Sequence, residues 1–350
     1  MEQVWRQQRP HALVGFLWAC ALCVPVLGQQ AAVTPEGLAE AVEAVAAVVA
    51  QEYFHQDVAT RAAQTIREHG SQGRYAEAQS LESLAWILTR DLFEATKDKH
   101  LVVRVADHRP PPALAADEAR AIRARRTNYG IRRVEVLGGN VGYLDLTDFY
   151  RLVEARDALT AAMYLLRSAD AMIVDMRDNS GGSPETVALL TSYFFDLPKL
   201  PLFEIIPRVG NARPYATASP AIPDRNAKRP AFVLTAKRTF SAGEGFAFIL
   251  QERRRATIIG EQTAGAANPG RPYPAGRFEV TIPNGQVRTA VTGRNWEGNG
   301  VFPDVQVPAA DALYVAHIMA LRELLSGAES GPWQQTLKRH LERLEGSAKR

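Results

Sequence analysis

The stretch "AFVLTAKRTFSAGEGFAFIL", residues 231–250, joins an apolar run to an amphipathic helical pattern. Ser241 lies at the junction, three residues before Glu244. Ser-x-x-Glu at a helix start is a capping box, in which the two side chains satisfy free backbone N–H groups. The same position also suits a nucleophile, because free N–H groups and the positive end of the helix dipole stabilise an oxyanion. On this stretch alone the cap is the simpler interpretation, and the nucleophile stays open.

Strand and helix patterns alternate on both sides of this stretch. Further apolar runs are "AMIVDMR" at residues 171–177 and "ATIIGE" at residues 256–261, and helical patterns separate the runs. Such alternation is typical of an α/β layer with buried parallel strands. The sequence therefore predicts an α/β fold around residue 241.

Two hairpins are also predicted. One lies in "IRRVEVLGGNVGYLDL" (131–146), where two β runs meet at Gly138, Gly139 and Asn140. The other lies in "GRFEVTIPNGQVRTAVTG" (276–293), around Asn284 and Gly285. Asn-Gly between alternating apolar residues is a strong short-range hairpin signal.

A second polar loop follows a buried strand in "DMRDNSGGSPE", residues 175–185. Gly181 and Gly182 allow the backbone to approach a ligand with its N–H groups free. An ordinary strand–helix turn explains the same residues. Because this loop and the one at Ser241 each follow a predicted parallel strand, they are expected to meet at the carboxyl end of the sheet, where open α/β sheets bind ligands.

The N-terminus has the pattern of a secretory signal peptide. Arg6 and Arg9 precede an apolar segment at residues 12–28 that is short and quickly followed by polar sequence. This pattern predicts cleavage before Gln29, with an uncleaved anchor as the alternative. Both cysteines of the chain lie inside the segment, so the mature chain is expected to have no disulfide and no thiolate site.

Composition argues against two classes of partner and cofactor. A net charge of only +3 gives no case for nucleic acid as a partner, and no metal-binding or cofactor-binding motif is recognisable.

Composition and pattern together also predict five regions. The regions are a signal peptide (1–28), a helical bundle domain (29–103), a Pro-rich linker (104–131), an α/β core (132–326) and a C-terminal helical tail (327–350).

Four ordered motifs carry a resemblance to a known family. They are "AMIVDMRDNSGG" (171–182), "VLTAKRTFSAGEGFAFIL" (233–250), "ATIIGEQTAG" (256–265) and "WEGNGVFPDVQV" (296–307). In this order they resemble the tail-specific, or C-terminal processing, serine peptidases, a family that includes tricorn protease and the modules of interphotoreceptor retinoid-binding protein. The resemblance spans about 132–324 and implies a crotonase-like core. The helical part ending in "TKDKHLVV" looks like the N-terminal segment of the retinoid-binding branch.

The resemblance implies roles for the residues of both loops. Ser241 corresponds to the nucleophile. The oxyanion hole is implied to combine the Ala242 N–H with one glycine of the pair Gly181 and Gly182, without indicating which.

The base differs from the family pattern. Processing peptidases use a lysine after "GE-x-T", and Ala266 stands at that position. Tricorn instead uses an upstream histidine and a downstream glutamate, and the matching residues are His100 in "DKHL" and Glu297 in "WEGNG". A serine needs an adjacent base, and imidazole titrates near neutrality. By chemistry alone His108 is a close rival of His100.

The expected function is an exported serine endopeptidase, periplasmic or secreted, acting on peptides or proteins through an acyl-enzyme on Ser241. The alternative is a non-catalytic protein that binds apolar ligands on the same fold. No cofactor, metal or nucleic acid is expected, nor is stable membrane insertion after signal cleavage. A homo-oligomer is left open.

Overall fold

The computed structural model describes residues 35–107, 113–218 and 227–347. The helices are α1 Pro35–Glu52, α2 Gln56–Ser71, α3 Leu81–Thr96, α4 Ala113–Arg126, α5 Leu152–Leu165, α6 Pro184–Ser192, α7 Ala242–Glu252, α8 Ala312–Gly327 and α9 Pro332–Ser347, with a 3-10 turn at Asn128–Gly130. The strands are β1 Val102–Val105, β2 Ile131–Leu137, β3 Val141–Leu146, β4 Ala171–Asp175, β5 Pro201–Pro207, β6 Arg213–Ala216, β7 Ala231–Thr235, β8 Thr257–Gly260, β9 Gly270–Ala275, β10 Phe278–Pro283, β11 Gly285–Thr289 and β12 Val305–Gln306.

The core is a six-stranded sheet in the order β12-β8-β7-β4-β3-β2. β3, β4, β7, β8 and β12 run parallel, and β2 pairs antiparallel with β3 across the predicted turn at residues 138–140. Every residue of β4 and β7 is buried, because helices cover both faces of the sheet. The α/β prediction and the first hairpin are therefore confirmed.

The helical N-terminal region is completed by β1, which follows α3, and by two strands from a later part of the chain, β9 and β10. β1 pairs with β10, and β10 pairs with β9, so that a three-stranded sheet lies against α1 to α3. Leu88 of α3 shares its apolar core with Phe278 and Ile282 of β10. This pairing holds the loop between α3 and β1 close to the later part of the chain.

The second predicted hairpin is wrong. β10 pairs with β1 and β9, whereas β11 pairs with β5 in a separate three-stranded sheet. Ile282 packs into the core of the helical region, and Val287 packs into the core beside the main sheet. Asn284 and Gly285 carry the chain from one sheet to the other because the apolar residues on either side of them belong to different cores.

The predicted linker and tail both contain helices. Within residues 104–131 lies α4, whose alanine- and arginine-rich sequence has high helix propensity after the prolines. In the tail, α9 buries Leu337 in the apolar cluster that α8 forms with the central sheet. The proposed signal peptide lies outside the described residues. Within the described ranges, no helix is long and apolar enough to cross a lipid bilayer.

Candidate active site

Ser241 is the last residue of the loop between β7 and α7, and it lies at the carboxyl end of the sheet. Its backbone dihedrals, φ 51° and ψ −118°, are strained for a residue with a side chain. Its N–H donates to Glu244 Oε2 at 2.8 Å. Its Oγ lies 3.1 Å from His100 Nε2, across 141 residues of sequence. The serine hydroxyl therefore faces an imidazole.

His100 lies in the short loop between α3 and β1. The loop starts at Lys97, which ends α3 in a left-handed conformation, and β1 then pairs with β10. The His100 ring packs against Phe240, with ring centroids 4.8 Å apart. Burial lowers the pKa of His100 to about 4, so the ring is neutral near neutral pH.

Glu297 lies beside the same imidazole. Its Oε2 accepts the N–H groups of Ala267 and Asn268 at 2.6 and 2.9 Å. Its Oε1 and the Nδ1 of His100 are both buried and have no hydrogen-bond partner among the described residues. Burial, followed by the charge of Asp98, raises the pKa of Glu297 to about 7.

Asp98, His100 and Glu297 form a compact cluster. One nitrogen or oxygen atom from each lies within 4.8 Å of the other two. Two carboxyl groups so close together share protons, because both ionise only at high electrostatic cost. The prediction that the protein needs no metal or cofactor stays a prediction.

The glycine loop brings backbone N–H groups to the serine. The Gly181 N–H donates to Asn179 Oδ1 at 2.9 Å. The N–H groups of Gly182 and Ala242 have no acceptor among the described residues. Gly182 has φ +131°, and a Cβ there would lie 2.0 Å from the carbonyl oxygen of Phe149. Position 182 therefore requires glycine.

Glu244 is a buried carboxylate that contacts the backbone of Ser241. It is fully inaccessible, and besides Ser241 it accepts hydrogen bonds from Thr263 Oγ1, Gly265 N and Ala266 N at 2.6 to 3.0 Å. Burial raises the pKa of Glu244, and these hydrogen bonds oppose that shift. The sequence identified Glu244 only as half of a capping box and missed this wider role.

Ala266, which the resemblance predicts to stand at the position of the family's lysine, is buried. Its N–H donates to Glu244, and its carbonyl oxygen accepts from Trp296 Nε1 at 2.9 Å. Nearby Lys99 donates its Nζ to the Ala264 carbonyl oxygen.

The other histidines do not reach Ser241 where the structure describes them. His317 Nε2 lies 2.7 Å from the Gly138 carbonyl oxygen, against α8 and the β2–β3 turn. The rival His108 lies outside the described residues.

An apolar pocket opens beside Ser241. Its volume is about 60 Å³. Its apolar lining includes Val187, Phe203, Ile249, Val287 and Trp296. Sequence reasoning did not find it, because separate elements contribute its walls.

Two family models match this chain. Residues 140–307 match peptidase family S41, and residues 33–128 match the model described as the N-terminal domain of peptidase S41 in eukaryotic IRBP. The carboxyl-terminal-processing protease of Synechocystis sp. is 32% identical over 130 residues, which are 37% of this chain and 29% of that protein. The chain thus spans less than a third of that relative's length.

Solved structures share the fold. A lipoprotein from Streptococcus agalactiae is 14% identical, with a TM-score of 0.52 over 82% of this chain and 96% of that one. Tricorn protease is 13% identical, with a TM-score of 0.50 over 89% of this chain and 37% of that one. At such identities the likeness concerns the fold alone.

Proposed function

Because this chain belongs to peptidase family S41, we propose that it is a serine endopeptidase that hydrolyses peptide bonds through an acyl-enzyme on Ser241. One observation carries the proposal. The imidazole Nε2 of His100 lies 3.1 Å from Ser241 Oγ, the distance at which a base takes a hydroxyl proton.

The reaction takes place in two halves. Ser241 Oγ attacks the carbonyl carbon of the substrate while His100 Nε2 accepts the hydroxyl proton. His100 gives that proton to the leaving amine, and the acyl group remains on Oγ as an ester. A water molecule, deprotonated by the same imidazole, then attacks the ester, and Ser241 Oγ leaves with the proton from the imidazole as the second product is released as an acid.

Glu297 acts on the side of the imidazole away from the serine. When His100 becomes an imidazolium, its Nδ1–H needs a buried acceptor, and Glu297 Oε1 is buried nearby with its lone pairs unused by the described residues. The attraction is strong because both groups are shielded from water. Glu297 therefore stabilises the charged imidazole.

The oxyanion is held by the N–H groups of Gly182 and Ala242. Gly181 is less suited, because Asn179 Oδ1 already occupies its N–H at 2.9 Å. The Ser241 N–H is likewise occupied by Glu244. These contacts favour Gly182 within the glycine pair.

At Ser241 itself, the small pocket supports a peptidase site over a site for an extended apolar ligand. A volume of about 60 Å³ holds about two water molecules. A retinoid or fatty-acid chain needs several times that space. The pocket suits one small apolar side chain of a peptide, next to the bond that is cut.

We also propose that the protein is exported and acts on peptides or proteins in the periplasm or outside the cell. The support is the N-terminal pattern, in which Arg6 and Arg9 precede the apolar segment 12–28. N-terminal sequencing of exported protein is expected to begin near Gln29.

A fluorophosphonate probe followed by peptide mass spectrometry tests the peptidase proposal. The folded protein should be labelled on Ser241 alone. Ser241→Ala should take up no label, whereas the matched variant Ser180→Ala, in the neighbouring loop, should be labelled like wild type. Label on another residue, or none on folded wild type, contradicts the proposal.

A further inference from the structure

A second acidic residue, Asp98, holds the backbone of the histidine. Asp98 is 2% exposed and lies two positions before His100. Its Oδ1 accepts the backbone N–H of His100 at 2.9 Å. The loop between α3 and β1 is irregular, so this hydrogen bond fixes the residue that carries the imidazole.

Asp98 is itself held by the helical region. Its Oδ2 accepts the hydroxyl of Tyr53 at 3.1 Å, and Tyr53 is 3% exposed. The Tyr53 backbone is fixed on both sides, since its N–H donates to the Val49 carbonyl oxygen and its own carbonyl oxygen accepts from Arg208 Nη1 at 3.1 Å. The hydroxyl therefore has a defined position.

A third contact joins Asp98 to the glutamate side of the site. The Asn268 side chain lies near enough to Asp98 to oppose the rise that burial causes in the pKa of that carboxyl, while the Asn268 N–H donates to Glu297 Oε2 at 2.9 Å. Asp98 thus links the loop of His100, the end of α1 and the loop that holds Glu297.

Other charged and titratable groups act on this cluster. Tyr53 and His55 act on Asp98, and Asp98 and Glu244 act on Glu297. Lys99, next to His100 in sequence, directs its ammonium to a backbone carbonyl oxygen. The Asp98 carboxyl lies within 4.8 Å of Glu297, and its charge joins burial in raising the pKa of Glu297.

We propose that Asp98 is the positioning residue of the catalytic base and that Tyr53 fixes it from the helical region, an inference that rests on the proposed function. Proton transfer from Ser241 requires the imidazole at hydrogen-bond distance, and misplacement by about 1 Å can lower a rate about 100-fold. The helical region is thereby a part of the active site and not a separate module.

Four variants test this inference. Asp98→Ala removes all of these contacts, and Asp98→Asn keeps an oxygen acceptor for the His100 N–H while removing the charge. Tyr53→Phe removes one hydroxyl. Tyr75→Phe is the matched control, because Tyr75 donates to Asp91 at 3.2 Å in the same helical region, with no contact to the site.

The readouts are kcat and KM on one peptide substrate, the rate of fluorophosphonate labelling, and the pH profile. Asp98→Ala should lower kcat and the labelling rate about 100-fold, with little change in KM. Tyr53→Phe should lower kcat about tenfold, as for the loss of one charged hydrogen bond. Asp98→Asn should have most of the wild-type kcat. In its pH profile the rise of the rate on the acid side should move to lower pH, because a negative charge beside Glu297 and His100 is gone. Tyr75→Phe should leave kcat and the pH profile as in wild type.

The two proposals fail in different ways. Wild type that takes up no label on Ser241 overturns the peptidase proposal and this inference with it. Wild type that is labelled on Ser241, together with Asp98→Ala labelled at the same rate, overturns the inference alone. Equal losses of kcat in Tyr53→Phe and Tyr75→Phe also overturn it, because they indicate a general effect on stability.

Discussion

The backbone N–H of Ser241 donates to Glu244 Oε2 at 2.8 Å, while the Ser241 hydroxyl faces His100. Glu244 thus supplies its half of the capping box, and the serine side chain is available for chemistry. Cap and nucleophile are therefore compatible at one residue, because the backbone N–H of Ser241 takes part in capping while its hydroxyl lies at hydrogen-bond distance from the imidazole.

This arrangement predicts opposite effects of Ser241→Gly on stability and activity. Glycine relieves the strain at φ 51° and ψ −118°, which is worth about 1–3 kcal/mol, and it loses about 0.5–1 kcal/mol through the entropy of the unfolded chain. The melting temperature should rise by about 2 °C, and hydrolysis should vanish. Differential scanning calorimetry and a peptide cleavage assay measure the two effects.

Ser241→Ala is the matched control, since it removes the hydroxyl and keeps the strain. It should melt close to wild type and also be inactive. A loss of about 1 kcal/mol or more in Ser241→Ala, with activity falling only in proportion to folded protein, points to a capping serine and against a nucleophile.

The base is predicted to be His100. His100→Ala should lower kcat by about three or more powers of ten with substrate binding largely kept, and Glu297→Gln should lower it less. His108→Ala and Lys99→Ala are controls expected to behave like wild type in steady-state kinetics. Activity that survives in His100→Ala but is lost in either control requires another base.

The pH dependence should belong to the His100–Glu297 pair. Burial lowers the pKa of His100 to about 4, and burial with the charge of Asp98 raises the pKa of Glu297 to about 7. The pair therefore holds one proton between about pH 4 and pH 7 and none above about pH 7, and catalysis needs the proton-free pair. The value of kcat/KM should rise through about pH 7.

Glu297→Gln discriminates this account from titration of the histidine alone. Without the Glu297 carboxyl, the rise of the rate near pH 7 should disappear, and the residual rate should be nearly constant between about pH 6 and pH 8, since the pKa of His100, about 4, lies well below that range. An unchanged limb in Glu297→Gln assigns the titration to another group.

Parts of this architecture could be predicted because their signals are local. Strand–helix alternation and the turn at residues 138–140 lie within short windows, and both are found in the sheet. The motifs identified Ser241 and His100, and the fold brings the two to hydrogen-bond distance. Their catalytic roles remain proposals.

What the sequence did not predict depends on distant pairing. The roles of Asp98 and Tyr53 arise because β1 pairs with β10 and places the end of α1 beside the site. Asn284 and Gly285 predicted a hairpin because the turn signal is local. The sheet that each strand joins is instead set by the core that buries its apolar residues. Periodicity carries no information about such partners.

Glu297 is predicted to lower the stability of the protein at alkaline pH. Its pKa is near 4.5 in the unfolded chain and about 7 in the folded protein, so the folded state binds more protons between these values. Its contribution to stability is present below about pH 4.5 and is lost as the pH rises through about 7. Glu297→Gln should therefore raise the free energy of unfolding at pH 8 by about 1–3 kcal/mol, and much less at pH 5.

Denaturant unfolding at the two pH values measures this effect. Glu204→Gln is a control, because Glu204 forms its ion pair with Arg288 on β11, away from the site. An equal effect of Glu297→Gln at pH 5 and pH 8 shows that the buried charge does not oppose folding.

The pocket beside Ser241 should select a small apolar residue at the cleaved bond. Its volume of about 60 Å³ accommodates a side chain such as alanine or valine but not phenylalanine. Rejection of oversized apolar side chains should reach about 10- to 100-fold in kcat/KM.

Val187→Ala, which enlarges the pocket, should move the preference towards leucine. Val233→Ala removes the same atoms from the central sheet, and both variants should lose about 1–3 kcal/mol of stability. Competition between peptides that differ only at the cleaved position measures the preference. A shift in Val187→Ala without one in Val233→Ala assigns selection to the pocket, and equal behaviour of the two variants contradicts it.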